Sequence, residues 1–176
     1  AQNGKPQDIP VFFIVKPSES GCADLAVEVS NYTYRVAGLW TPVYFGERDK
    51  VFTFSCLCTG IADMLAGVLF ILCIIHVSFF VMQKERQNEI FIAVFIFSIL
   101  VRTMSSKLGV FTLYVPQFPY DLMMKLEYSP MWIGPAVFMK FLMIAVPEKN
   151  NRYAKLYELF FLILGVVSFI LPIRIV

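Results

Sequence analysis

Ionised side chains are scarce in this chain. Charged residues make up 16% of its 176 residues and hydrophobic residues 58%, whereas soluble domains run at roughly 25% charged and under about 50% apolar. From Met64 to Gln83 there is no ionised side chain at all (MLAGVLFILCIIHVSFFVMQ). A soluble core helix would show a polar stripe every three to four residues, and this run does not. Histidine is scarcer still: there is 1 in the chain, which excludes a paired-histidine metal site. No glycine-rich phosphate loop and no G-x-S-x-G serine occur. Without a nucleophile and base set, neither an enzyme nor a cofactor is expected. The 4 cysteines, Cys22, Cys56, Cys58 and Cys73, have no C-x-x-C spacing. Cys73 reads as a packing residue, and a Cys22–Cys56 disulfide stays open for an oxidising compartment. A net charge of +2, scattered along the chain, gives no footprint for nucleic acid.

What is present is hydrocarbon-length apolar sequence. A helix needs about 20 residues to cross roughly 30 Å of lipid core, and the pattern predicts four such spans, near 61–82, 90–108, 120–146 and 156–173. The third is the least clean, because it holds Lys125, Glu127, Pro130, Pro135 and Lys140; prolines are tolerated where neighbouring helices satisfy the freed carbonyls. Two polar hinges, QKERQNE (83–89) and PEKNNRYAK (147–155), join spans one to two and three to four. An aromatic, proline-containing loop at 109–120 joins spans two and three.

Residues 1–50 differ in character. Val11–Val15 is a continuous apolar run, Leu25–Val29 alternates, and Trp40–Phe45 is β-like around Pro42, which implies an edge position or bulge. The fold expected is thus an α-helical transmembrane bundle over 51–176, preceded by a short extracytoplasmic β segment over 1–50. Lys84, Arg86, Lys149, Arg152 and Lys155 fall in the hinges, while the aromatic loop side holds Lys107. The positive-inside rule then puts the hinges in the cytoplasm and the N-terminal segment outside. A multi-pass protein of a cell's inner (plasma) membrane is expected, with the lipid bilayer as its constant partner. The chain starts with Ala, without a basic leader, and runs to Val176 directly after an apolar helix; a piece of something longer is expected.

Charges inside spans are costly and turn toward protein. By helical rise, Asp63 and Glu127 lie at one depth near the outer boundary, with Arg102 somewhat deeper. One reading is an Arg102–Glu127 pair, with Asp63, tying three helices together. The other has Asp63 and Glu127 solvated at the interface while Arg102 snorkels. Side chains tilt toward the helix N-terminus, which aims Arg102 inward and Glu127 outward and widens their gap. His76 and Lys140 form a second polar set near the cytoplasmic end. Lys140 is expected to snorkel, and His76 to be neutral and hydrogen-bonded to a neighbouring helix, with a proton-sensitive site as the sharper alternative.

The segment VEVSNYTYRVAGLWTPVYFG (27–46), the patches VRTM (101–104) and KLEYSPMW (125–132), and the corner AVPEK (145–149) carry a resemblance. In this order and spacing the chain resembles bacterial seven-transmembrane receptors with diverse intracellular signalling modules. Asn31, Trp40, Pro42 and Gly46 match the end of that family's outer jelly-roll domain, and Ala37 stands where glycine is common. The resemblance implies a signal-transducing receptor fragment. Ligand binding by an outer β-domain, with a small molecule such as a carbohydrate, would pass through the Asn31–Gly46 region to the helices. It would continue to an intracellular signalling domain of the same full-length chain, and a homodimer is compatible with this. The chain departs from the family in supplying four spans rather than seven and no output domain. The alternative is a small-solute transporter or channel subunit with Asp63, Arg102, Glu127 and Lys140 lining a path. Against it, these charges lie at two depths and no discontinuous helix pair is evident.

Overall fold

The computed structural model describes residues 12–15, 26, 43–83, 86–106, 111, 114–115, 117–146 and 152–171. Its helices are α1 (Arg48–Met82), α2 (Asn88–Ser105), α3 (Tyr120–Ala145) and α4 (Arg152–Ile170). Each packs extensively on the next in sequence. The cross-helix contacts run in opposite residue order, as when Phe95 meets Phe138 and Ser98 meets Gly134, so neighbours are antiparallel.

α1 is longer than hydropathy alone predicts, starting at Arg48 rather than Ile61. Its 35 residues extend about 52 Å, well beyond the roughly 30 Å of a lipid core. No proline interrupts it. Asp49 in its first turn suits the helix dipole, and Lys50 bridges back to Glu47 at 2.9 Å. Ser55, Thr59 and Gly60 dilute the apolar signal of residues 48–60 without breaking the helix. At the far end, Gln83 N–H bonds to Phe79 O at 2.9 Å, and the hinge turns through Arg86 N–H to Gln83 O (2.8 Å) and Glu89 N–H to Arg86 O (3.1 Å). α3 starts where Pro119 accepts from the N–H groups of Leu122 and Met123, both at 3.0 Å. It continues through Pro130 and Pro135.

The interior is built mainly from small side chains. Ala66, Ala93, Ser98, Ser105, Ser129, Ala136 and Ser168 are buried, with Leu100, Met123 and Met124, while Phe70, Ile71, Phe97, Leu159 and Val166 are exposed. Soluble cores invert that distribution. In lipid, apolar side chains gain nothing by turning inward, and close backbone approach through small residues holds helices together. Ser98, Ser105, Ser129 and Ser168 each bond a carbonyl three or four residues back in their own helix, so no hydroxyl among them needs water. The crossings are tight: a Cβ on Gly134 would stand 3.0 Å from Ser98 Oγ, and one on Gly165 2.7 Å from Ile133 Cγ1. Among the described residues, α1, α2 and α4 are long and apolar enough to cross a membrane, and α3, the expected third span, is not one of them. α3 lies between α2 and α4 in the packing order and carries Asp121, Lys125, Glu127 and Lys140.

No strand occurs among the described residues. Phe12–Val15 and Val43–Phe45, the described parts of two expected β runs, have no regular structure. An apolar run becomes a strand only where a partner supplies the ladder. The alternating run at 25–29, save Ala26, and residues 40–42 lie outside the described residues. What the structure places on α1 is aromatic: Phe12 meets Phe52 edge-on at 6.2 Å, and Tyr44 meets Phe54 at 5.0 Å between ring centroids.

Candidate functional site

Polar contacts gather at the two ends of the bundle. At the hinge end, His76 sits near the end of α1 and Glu89 in the first turn of α2, and the bonded hinge turn folds one over the other. Nδ1 of His76 stands 2.7 Å from Oε2 of Glu89. A carboxylate only accepts, so the ring nitrogen donates. The other oxygen, Oε1, faces Arg86 Nη1 at 3.8 Å. The Glu89 side chain is 17% exposed and that of His76 24%, so both are largely withdrawn from the surface. One turn deeper, Cys73 donates its thiol to the Ala93 carbonyl at 3.6 Å. The single histidine is thus hydrogen-bonded to a neighbouring helix, as expected, but its partner is a carboxylate that sequence reading did not single out.

The second hairpin repeats the arrangement. Lys140, near the end of α3, faces Glu158 on α4 with Nζ 3.7 Å from Oε1. Beside the expected snorkelling of Lys140, a half-buried carboxylate on the adjacent helix lies within reach, and pairing there lowers the cost of keeping either charge in the bundle.

At the loop end the three expected partners do not meet. Arg102 is exposed in the last turn of α2 and forms no ion pair with Glu127. The cause is direction: helical side chains lean toward their N-termini, so Arg102 and Glu127 lean apart, and the C-terminal dipole already favours a cation at Arg102. Glu127 is half-buried and engaged elsewhere. Asp63 instead accepts a 2.8 Å hydrogen bond on Oδ2 from the hydroxyl of Tyr114, in the α2–α3 connection. Its Oδ1 is buried without a hydrogen-bond partner among the described residues. The bond to Asp63 first, then its negative charge and desolvation, hold the Tyr114 hydroxyl above the ordinary phenol value. Lys125 lies 5.8 Å over the Phe169 ring, joining α3 to α4.

Of the expected coupling residues, Asn31, Trp40 and Pro42 lie outside the described residues. Gly46 precedes α1, and a Cβ there would meet Val51 Cγ2 at an ordinary 3.5 Å, so close approach does not require glycine. Cys56, Cys58 and Cys73 are free thiols, and Cys22 lies outside the described residues. Among the described residues, no group of His, Cys, Asp and Glu is arranged to hold a metal ion.

Three partners escaped sequence reading: Glu89, Glu158 and Tyr114. A usable signal existed for Glu158, which lies about as far after its hinge as Lys140 lies before it, so that an antiparallel hairpin brings the two to one level. None existed for Tyr114, which reaches Asp63 from the connection between α2 and α3. Comparison with protein-family models, with curated proteins and with solved structures returned no match.

Proposed function

We propose that the chain relays a signal across a membrane, as a fragment of a receptor similar to the bacterial seven-transmembrane receptors with intracellular signalling modules. The observation that carries this reading is the continuity of α1. One unbroken helix runs from the aromatic contacts Phe12–Phe52 and Tyr44–Phe54 to the His76–Glu89 clasp. A rigid helix transmits a shift or rotation along its whole length, and a clasp with two arrangements converts it into an altered hinge. A ligand biases that equilibrium only through different affinities for the two states.

In this reading residues 1–50 end an extracytoplasmic β-domain that takes a small molecule such as a carbohydrate. The hinges face the cytoplasm of the inner membrane, and an output domain of the full-length chain, with dimerisation, receives the change. A transport path has less support. Arg102 is exposed, Lys140 is paired, and Asp63 is bonded at the other end, so these charges line no common route.

The test is amide hydrogen exchange of the full chain in lipid nanodiscs, wild type against Phe52→Ala/Phe54→Ala. Faster exchange at Gln83–Glu89, far from the substitutions, is expected. A change confined to residues 43–60 would sink the relay.

A further inference from the structure

The charged groups of the hinge end are sorted by sign. The carboxylates turn inward: Glu89 onto His76 and Arg86, and Glu158 onto Lys140, with side chains 17% and 19% exposed. The cations turn outward. Arg152 and Lys155 are exposed and have no ion pair among the described residues, and the Arg86 side chain is 59% exposed although it touches Glu89. Tyr153, Leu156 and Tyr157 are exposed beside them, the amphipathic and apolar company that basic residues keep at a lipid–water boundary. In the adjoining hinge sequence, Lys84 and Lys149 are offset by Glu85 and Glu148, so the described cations set the sign. The loop end has no such sorting: Arg102 and Asp121 are both exposed there, and Lys125 is folded over Phe169.

We infer that the hinge end, centred on Arg152 and Lys155, binds the phosphate headgroups of anionic phospholipids in the leaflet it faces. Internal pairing neutralises the carboxylates that would otherwise repel such a headgroup. The first turn of α4 holds no acidic residue, and its exposed tyrosines rest at headgroup depth. Electrostatic attraction of this kind falls off within a Debye length, so only cations at the surface, as these are, contribute. The inference stands whether or not the bundle relays a signal.

The test uses the full chain, delipidated in an uncharged detergent and titrated with phosphatidylglycerol or phosphatidylcholine, with bound lipids counted by native mass spectrometry. Phosphatidylglycerol is expected to bind more tightly. Arg152→Gln/Lys155→Gln should weaken it about fivefold per cation removed, leaving phosphatidylcholine binding and helical circular dichroism unchanged. The charge-conserving Arg152→Lys/Lys155→Arg should retain binding, and Arg102→Gln at the opposite end should not affect it. The inference is overturned if wild type shows no preference, if the neutral double variant keeps it, or if Arg102→Gln loses as much. Displacement of the lipid by inorganic phosphate at equal concentration would also overturn it, since that marks a site for the free anion.

Discussion

Nδ1 of His76 and Oε2 of Glu89 stand 2.7 Å apart across the first hairpin, and Nζ of Lys140 and Oε1 of Glu158 stand 3.7 Å apart across the second. In each hairpin a base late in the first helix meets an acid early in the next. The arrangement closes each helix pair at its hinge, where chain connectivity already holds the ends together. The polar contact therefore adds register and little holding strength.

Removing either member of the first pair should cost stability in proportion to what it leaves behind. His76→Ala and Glu89→Ala are each expected to destabilise the chain in detergent by about 1–3 kcal/mol. A double-mutant cycle should give a coupling of about 0.6 kcal/mol, the average for hydrogen bonds between membrane helices, and no more than about 1.7 kcal/mol. Strict additivity would show that the contact contributes nothing.

The charges singled out from sequence should divide by partner. Lys140→Ala strands Glu158 and is expected to cost about 1–3 kcal/mol. Arg102→Ala forfeits only a favourable helix-end position, about 0.3–1 kcal/mol. Thermal unfolding of the two variants in one detergent ranks them, and a larger loss for Arg102→Ala would contradict the geometry.

Gly165→Ala should be the harshest single-methyl insertion. The new Cβ would stand 2.7 Å from Ile133 Cγ1, so the Ile133 side chain or the α3–α4 crossing must shift, at about 1–3 kcal/mol. Ile133→Ala removes the obstructing atom, and the double variant should be more stable than the sum of the singles. Gly134→Ala should be milder, because its 3.0 Å neighbour is the Ser98 hydroxyl, which can rotate aside.

Tyr114 supplies a pH signature outside the spans. Its hydroxyl is held above the ordinary phenol value, chiefly by donating to Asp63. The folded value exceeds the unfolded one, so the contribution of this bond is fully present below about pH 10 and is lost as pH rises through the higher folded value. The ultraviolet phenolate titration of wild type minus Tyr114→Phe should show one phenol ionising later than a free tyrosine. Coincidence with free tyrosine would refute the bond to Asp63.

Much of the helical layout was legible because lipid imposes a simple demand. Every backbone group must be bonded within its own segment, so uncharged length translates directly into helix. The run from Met64 to Gln83 shows this, and so do the hinges at 83–89 and 147–155, where polar residues return. The start of α1 was not legible, because residues 48–60 look neither apolar nor broken. The prolines of α3 were readable as tolerated but did not reveal that α3 packs on both α2 and α4.

The sequence by itself determined the four long helices of the described residues, where hinges interrupt them, and which small residues are available for close approach. Tertiary structure alone decided which polar groups meet. Asp63 went to Tyr114 and not to Arg102, and Lys140 came within reach of Glu158. The physical reason is that hydropathy depends on a residue's own side chain, whereas pairing depends on helix rotation and tilt. Contacts far along the chain, such as Ile133 against Gly165, fix that rotation, and a linear pattern does not encode it.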